Sequence, residues 1–148
     1  MWLVEDNCDA LGTKYKGKFS GTFGDVSTLS FYPAHHITMG EGGAVFTNNM
    51  RIKRIAESFR DWGRDCYCVG SANLLTEGTC GKRFGRWLEG YYDGVLDHKY
   101  LFVNRGYNLK PLDLQGSIGC EQIEKIEFIH NARRKNKEII SKYDLFPY

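Results

Sequence analysis

The central stretch of the chain reads Ser27-Thr28-Leu29-Ser30-Phe31-Tyr32-Pro33-Ala34-His35-His36-Ile37-Thr38-Met39-Gly40-Glu41-Gly42-Gly43-Ala44-Val45-Phe46-Thr47. Residues Ser27–Tyr32 predict a strand that Pro33 ends, and Ala44–Thr47 predicts the next strand. The glycine-rich residues between them form a loop in which the backbone can approach a ligand closely. A His pair at the start of such a loop suits general-base chemistry, although a His pair without further context is more often structural.

An acidic segment before this stretch supplies another candidate. The strand-like Trp2–Val4 is followed at once by Glu5-Asp6-Asn7-Cys8-Asp9. In open α/β sheets ligands bind beyond the carboxyl ends of the strands, so acids at this place are candidate site residues. Asp6 is the first of them, with a plain surface acid as the alternative. Between the two strands, residues 13–24 combine Gly, Lys and aromatic residues and predict turns and a short hairpin.

The remainder of the chain predicts mostly helices. Asn48 or Asn49 can cap a helix that ends near Gly63 and that carries, on the face packed against a sheet, Ile52, Ile55, Phe59 and Trp62. Residues 64–106 show weak periodicity and many Gly, which is typical of a functional loop region. Two helices follow, from Pro111 to about Ile126 and from Phe128 to about Tyr143. The order of elements predicts an α/β fold that is part of a larger domain.

Composition excludes several classes of protein. The 148 residues are 42% hydrophobic, which predicts a folded domain with a buried core. The formal charge of +2 provides no electrostatic footprint for nucleic acid or for an anionic membrane. No apolar run reaches the roughly 20 residues of a membrane span, and the first residues lack the pattern of a signal peptide. We therefore expect a cytoplasmic protein.

Five cysteines are a compositional outlier. In a reducing compartment they favour a metal or a catalytic site over a disulfide framework. Four thiolates, those of Cys8, Cys66, Cys68 and Cys80, suit a [2Fe–2S] cluster or a tetrahedral zinc ion. The alternative is that they are small buried apolar residues. Cys120, on a predicted helix beside Ile118 and Ile123, is interpreted as such a core residue.

Three motifs of the chain resemble the vitamin B6-dependent sugar aminotransferases of the DegT/DnrJ/EryC1/StrS family. They are Val4–Gly12, Ser30–Gly43 and Gly106–Lys110. The resemblance implies the aspartate aminotransferase-like fold (PLP fold type I), of which this chain would be part of the large, three-layer α/β/α domain. Most members carry a catalytic Lys at the position of His35. Because imidazole forms no stable Schiff base but can move a proton, the resemblance implies that transamination is lost and proton abstraction is kept.

Within the family, the chain is most similar to iron–sulfur 3-dehydrases that act on nucleotide-linked 4-keto-6-deoxyhexoses. The further motifs that carry this similarity include Arg60–Cys68 and Thr79–Gly85. The resemblance implies pyridoxamine 5′-phosphate as cofactor, the amine of which condenses with the C4 ketone of the sugar before the C3 hydroxyl leaves. The roles it implies are His35 as the base, Asp6 at the pyridine nitrogen, Ser30 at the cofactor phosphate, and Asn108 at the phosphate of the neighbouring subunit in a homodimer.

The same resemblance implies an electron-transfer step. A [2Fe–2S] cluster on Cys8, Cys66, Cys68 and Cys80, in a loop at about 64–85, would relay electrons from an NADH-dependent flavin and iron–sulfur reductase. The expected substrate is CDP-4-keto-6-deoxy-D-glucose, in the synthesis of the 3,6-dideoxyhexoses of O-antigen and lipopolysaccharide. Two features differ from the family pattern: the interval between Cys68 and Cys80 is longer, and Lys110 stands where Arg is common.

Relatives place further segments on both sides of the region that this chain covers. We therefore expect residues 1–148 to be the central and C-terminal part of the large domain, without the N-terminal segment and the small C-terminal domain, and to be inactive alone. Two alternatives remain open. One is a cluster-free, pyridoxamine-dependent GDP-4-keto-6-deoxymannose 3-dehydratase type, and the other is a non-catalytic zinc-binding fragment.

Overall fold

The computed structural model of the protein describes residues 1–66 and 82–143. In chain order, the strands and helices of these residues are β1 (Val4–Asp6), β2 (Lys14–Tyr15), β3 (Lys18–Phe19), β4 (Val26–Ser30), β5 (Gly43–Phe46), α1 (Met50–Arg60), β6 (Phe84–Gly85), β7 (Leu96–Asp97), a 3-10 helix (His98–Tyr100), α2 (Asp113–Ile123) and α3 (Ile126–Ser141). The expected α/β class is confirmed.

The chain divides into two compact units. One consists of Met1–Thr47 with Pro111–Tyr148, and it contains β1 to β5 with α2 and α3. The other consists of Asn48–Lys110, and it contains α1, β6, β7 and the 3-10 helix. We call them the first and the second unit.

The first unit is built on a three-stranded sheet in the order β1-β4-β5. Strand β1 lies parallel to β4, with Asp6 opposite Thr28, and β4 is antiparallel to β5, with Ser30 opposite Gly43. The predicted hairpin is confirmed as the β2–β3 pair. The first strand lies two residues later than predicted, so Asp6 ends the strand instead of following it.

A buried polar cluster joins β1 to its neighbours. Asn7 is 3% exposed and Ser27 1%. The amide Nδ2 of Asn7 donates to Ser27 Oγ at 2.6 Å, its Oδ1 accepts from Ser20 Oγ, and its backbone N–H donates to the carbonyl of Thr28 at 3.1 Å. Asn7 therefore links the end of β1 to strand β4 and to the segment that follows β3.

Glu5 binds the segment that follows β3 to strand β1. Its carboxylate accepts backbone N–H bonds from Gly21 at 2.8 Å, Phe23 at 2.7 Å and Gly24 at 2.6 Å. These bonds favour the ionised form, and they hold the pKa of Glu5 below its ordinary value, with the bond from Gly24 the largest cause. Gly24 has no room for a side chain, because a Cβ there would lie 2.6 Å from the carbonyl oxygen of Leu3.

The second unit confirms the predicted cap and shortens the predicted helix. Asn49 Oδ1 accepts from the backbone N–H of Arg51 at 2.9 Å, which begins α1. The helix ends at Arg60 rather than near Gly63, because the chain turns at Trp62 and Gly63 with φ of 64° and 81°. The region expected to be a loop contains the β6–β7 pair and the 3-10 helix among its described residues.

Burial differs from the sequence prediction. Among the described residues Ile37 is the one large apolar side chain that is buried, at 6% exposed. The expectation that Cys120 is a core residue was wrong, since Cys120 is exposed and no residue of α2 is buried. On α1, Ile55 and Phe59 are 48% and 40% exposed, so the expected packed face is open as well. Burial depends on what covers a face, and helical spacing describes only the face itself.

No helix among the described residues is both long enough and apolar enough to cross a membrane.

Replacing Asn7 by Ala should lower the free energy of unfolding by about 1–3 kcal/mol, because buried Ser27 loses a hydrogen-bond partner. Urea denaturation followed by circular dichroism measures the change. Asn131→Ala, at an exposed position of α3, is the control and should stay within about 0.5 kcal/mol of the parent. Equal effects of the two substitutions would contradict the role assigned to the Asn7 amide.

Candidate functional site

Asp6 lies at the carboxyl end of β1 on the face of the sheet opposite to Asn7. Its Oδ1 accepts from the backbone N–H of Cys8 at 3.2 Å and from Thr28 Oγ1 at 3.2 Å. These bonds favour the carboxylate, and together with the positive potential of His35 they hold the pKa of Asp6 below its ordinary value. Asp6 is thus an exposed, oriented anion at the end of a strand.

Cys8 is half-buried two residues farther along the chain. Partial burial raises the pKa of its thiol, and the hydrogen bond to Asp6 and the negative charges of Asp6 and Asp9 raise it further. The thiol is therefore the stable form of Cys8 in the absence of a cation. A bound metal centre would reverse this balance by stabilising the thiolate.

Ser30 is the last residue of β4 and shares the Asp6 face of the sheet, because side chains alternate along the strand. Its Oγ accepts from the backbone N–H of Tyr32 at 3.3 Å. The loop that follows is closed by two backbone bonds, from Phe31 N–H to the carbonyl of Gly42 at 2.9 Å and from Met39 N–H to the carbonyl of Phe31 at 3.0 Å. The loop is thereby fixed at the carboxyl end of the strand.

His35 lies in the first turn of this loop, where its backbone N–H donates to the carbonyl of Tyr32 at 3.0 Å. Its ring meets the Tyr32 ring edge to face, with 5.7 Å between the centroids. Nε2 lies 3.8 Å from Asp9 Oδ1, while Nδ1 is buried and has no hydrogen-bond partner within the described part of the chain. One ring nitrogen of His35 is therefore left for a ligand.

His36 faces a different environment. Its ring lies perpendicular to that of His130 on α3, with 5.4 Å between the centroids. Burial lowers the pKa of His36, and the positive potentials of Arg133 and His130 lower it further. His130 leaves no room beside it, because a Cβ at Gly12 would lie 2.3 Å from its Cε1. These contacts give His36 a packing role, so the two histidines of the loop differ.

In the second unit, which contains Cys66, polar side chains pair with one another. His98 Nε2 lies 3.0 Å from Asp65 Oδ2, and the His98 ring stacks on Trp87 with 4.3 Å between the centroids. Arg83 holds Asp97 through three bonds of 2.6–2.9 Å, which raise the pKa of Arg83. Arg83 thereby fixes Asp97 in the unit that also contains Cys66.

Asn108 lies where the segment after α1 crosses the segment that ends at Lys110. It pairs with Asp61 in an isolated bridge, and the backbone N–H of Trp62 donates to the carbonyl of Tyr107 at 2.9 Å. Lys110 Nζ donates to Asp61 Oδ1 at 2.7 Å, and Asp61 is 1% exposed. Lys110, which stands where Arg is common in the family, thus still supplies a cation to a buried carboxylate. Asn108 itself is exposed.

Crowding of the backbone makes this crossing possible only with glycine. A Cβ at Gly63 would lie 1.8 Å from the carbonyl oxygen of Asn104, and a Cβ at Gly106 would lie 2.1 Å from the nitrogen of Gly63. Because φ of Gly63 is 81°, an L side chain would also be strained there.

Of the predicted site residues, those of the first unit share one end of the sheet. Asp6 and Cys8 are hydrogen-bonded, and His35 acts on Asp6 through its charge. Cys66 and Asn108 belong to the second unit. Cys68 and Cys80 lie outside the described residues. Within 1–66 and 82–143, no group of three or more His, Cys, Asp or Glu side chains is arranged to hold a metal ion.

Sequence reasoning assigned no role to two neighbours of the site. Thr28 is a hydrogen-bond donor to Asp6, and Asp9 is the carboxylate beside His35. The signal for Asp9 was present, because it belongs to the acidic segment that follows the first strand. No local signal in the sequence indicated Thr28, because its contact with Asp6 depends on the parallel register of β1 and β4.

Comparison with known proteins places this chain in a family. Residues 1–143 match the family model of the DegT/DnrJ/EryC1/StrS aminotransferases. The chain belongs to this family. The DegT/DnrJ/EryC1/StrS assignment confirms the expected resemblance.

Individual relatives agree with the family. The chain is 56% identical over 136 residues to the lipopolysaccharide biosynthesis protein RfbH of Salmonella typhimurium, covering 92% of this chain and 30% of that protein. It is 52% identical over 140 residues to the dTDP-4-dehydro-2,6-dideoxy-D-glucose 3-dehydratase of Saccharopolyspora spinosa, covering 92% and 28%. This chain therefore spans about a third or less of the length of these curated relatives.

A solved structure resembles the chain over its whole length. It is that of the E. coli GDP-4-keto-6-deoxy-D-mannose-3-dehydratase with bound hydrated PLP, with a TM-score of 0.70 and 33% identity, covering 100% of this chain and 35% of that one. The prediction of an aspartate aminotransferase-like α/β fold is confirmed.

Gly63→Ala should destabilise the second unit more than Gly90→Ala does. Both glycines have a positive φ, 81° and 86°, so each substitution costs about 1–2 kcal/mol of backbone strain. Of the two, Gly63 alone adds a backbone clash, since nothing lies within 4 Å of a Cβ at Gly90. Urea denaturation of the two variants measures the difference, and equal midpoints would contradict the crowding at the crossing.

Proposed function

We propose that this chain carries the base and the cofactor-anchoring residues of a nucleotide-sugar 3-dehydratase, which removes the C3 hydroxyl of a nucleotide-linked 4-keto-6-deoxyhexose with pyridoxamine 5′-phosphate. The observation that carries the proposal is His35, an imidazole with one unpartnered buried nitrogen among the described residues, at the family position that a Lys occupies in most members. An imidazole there can transfer a proton but forms no stable covalent link to the cofactor.

The side chains at this end of the sheet fit the cofactor. Asp6 is an oriented carboxylate whose pKa lies below its ordinary value, which suits a partner for a protonated pyridine nitrogen. Ser30 presents a hydroxyl on the same face, which suits a phosphate oxygen. Asn108 would bind the cofactor phosphate of the neighbouring subunit in a homodimer. When bound, the cofactor supplies an amine for the ketone of the sugar and a conjugated ring that accepts electrons.

In this proposal the protein contributes charge and proton transfer. Asp6 keeps its negative charge next to the ring nitrogen. His35 takes a proton through the nitrogen that has no partner among the described residues, and it is held for that task by the closed loop at Phe31 and Gly42. The sugar is proposed to be CDP-4-keto-6-deoxy-D-glucose, for 3,6-dideoxyhexoses of lipopolysaccharide. The 56% identity to the Salmonella lipopolysaccharide biosynthesis protein supports a role in the synthesis of lipopolysaccharide.

We also infer a [2Fe–2S] cluster on Cys8, Cys66, Cys68 and Cys80, supplied with electrons by an NADH-dependent flavin and iron–sulfur reductase. The support is the four-thiol pattern of the sequence together with the basic residues near it, such as Arg64 and Arg83, which would offset the negative charge of such a cluster. The competing candidate is a cluster-free dehydratase of the GDP-4-keto-6-deoxymannose type. The likeness to the E. coli structure supports the cluster-free type as strongly as the cluster-containing type, because His35 would be the base in either one.

Dehydration should depend on His35. Because the chain spans 28% of the Saccharopolyspora enzyme, the test uses a chimera in which residues 1–143 replace the matching segment of that 3-dehydratase. The chimera should convert dTDP-4-dehydro-2,6-dideoxy-D-glucose with loss of water, measured by mass spectrometry. His35→Asn should lower the rate at least about 100-fold, because the base is lost.

An Asn131→Ala chimera, changed at an exposed position of α3, is the control, and it should keep cofactor-dependent dehydration. An unchanged rate in the His35→Asn chimera, or an amino-sugar product from the parent chimera, would contradict the proposed base.

The cluster has its own test. Protein purified without oxygen and reconstituted with iron and sulfide should hold about two iron and two sulfide per chain. Cys8→Ser should lose the visible absorbance of the cluster. Cys120→Ser, which removes the exposed fifth cysteine, should keep it. Colourless protein without sulfide would favour the cluster-free type, and stoichiometric zinc would favour the zinc-binding alternative.

A further inference from the structure

The two ring nitrogens of His35 have unequal surroundings. Nε2 lies 3.8 Å from Asp9 Oδ1, and the side chain of His35 is 19% exposed against 66% for that of Asp9. Nδ1 is buried and has no hydrogen-bond partner among the described residues. A carboxylate therefore faces one nitrogen, while the described part of the chain offers the other neither a donor nor an acceptor.

A neutral imidazole carries its single proton on one nitrogen and a lone pair on the other. A carboxylate favours the tautomer whose N–H points toward it. The distance of 3.8 Å is longer than a hydrogen bond, so the attraction is electrostatic. Such contacts commonly tighten when a site is occupied. The expected tautomer therefore has its proton on Nε2 and its lone pair on Nδ1.

The second carboxylate that acts on His35 is already hydrogen-bonded. Asp6 Oδ1 accepts bonds from Cys8 and Thr28, each at 3.2 Å, so it is held by β1 and β4 and acts on His35 through space. The side chain of Asp9 has no such tie among the hydrogen bonds found in the described residues, and it comes one residue after Cys8 in the turn. The carboxylate of Asp9 can therefore move with the imidazole of His35 and stay near Nε2.

Packing against Tyr32 also restricts the orientation of the His35 ring. The Tyr32 ring packs against it at 74° in the same turn that ties His35 N–H to the carbonyl of Tyr32. His36 lacks this arrangement, because its ring packs against His130, and within the described residues it has no carboxylate at ion-pair distance. The two histidines of the loop are thereby given different tasks.

We propose that Asp9 is the positioning residue of His35: its carboxylate selects the Nε2–H tautomer and leaves Nδ1 as the nitrogen that accepts the proton. This deepens the proposed function and rests on it for its catalytic meaning. The structural part of the proposal, the choice of tautomer by Asp9, concerns side chains of this chain alone.

Nuclear magnetic resonance of the chain with 15N-labelled histidine, at alkaline pH where imidazole is neutral, tests the tautomer directly. The ring nitrogen with a proton and the one without have well separated 15N shifts. In the parent, His35 should be predominantly protonated on Nε2. Asp9→Asn should bring the two tautomers close to equal shares, and Asp9→Glu should restore most of the preference. Glu121→Gln, at an exposed acid of α2, should change nothing.

A proton on Nδ1 in the parent overturns the proposal, and so does a tautomer share that Asp9→Asn leaves unchanged. The parent spectrum alone decides which nitrogen carries the proton, even where a variant fails to fold. The measurement needs neither cofactor nor substrate, so its outcome is separate from that of the dehydration assay with the chimera. A chimera without 3-dehydratase activity refutes the function and leaves the tautomer result standing.

Discussion

The buried amide of Asn7 joins the three segments on which the candidate site is built. It is bonded to Ser27 on β4 and to Ser20 in the segment after β3, and its backbone continues the pairing of β1 with β4. An amide at 3% exposure is costly unless its hydrogen bonds are made, so this arrangement of the three segments is strongly preferred. Because side chains alternate along an extended chain, burying Asn7 on one face turns its neighbour Asp6 to the other.

The second unit uses a buried charge for the same purpose. Asp61 is almost fully buried, and Lys110 and Arg64 supply its positive partners at 2.7 and 3.5 Å. A buried carboxylate without a cation would be strongly unfavourable, so this group requires the segments that carry its partners to meet. Close contact between Gly63 and Gly106 then brings the backbones together. The conformation of Asn108 is a consequence of this crossing, as the exposure of Asp6 is a consequence of Asn7.

Sequence patterns predicted the strands and helices well, but they predicted poorly which side chains are buried. The hairpin, the two strands around the glycine-rich loop, the cap at Asn49 and the two C-terminal helices follow from local signals such as turn residues and helical spacing. Burial did not follow from such signals. Cys120 lies among apolar residues of a helix and yet is exposed, because burial depends on what covers a face, and periodicity describes only the face itself.

From the sequence alone came the family, the α/β class, and the identity of the residues proposed for chemistry, because these depend on residue types in order along the chain. The tertiary structure decided which of those residues meet. The register of β1 against β4 brings Thr28 to Asp6, and the turn at Tyr32 brings His35 to Asp9. Neither contact is local. Thr28 lies 22 positions after Asp6 along the chain. His35 lies in the loop before β5, far along the chain from Asp9. Contacts of that kind arise from strand pairing and buried hydrogen bonds, which only the folded chain contains.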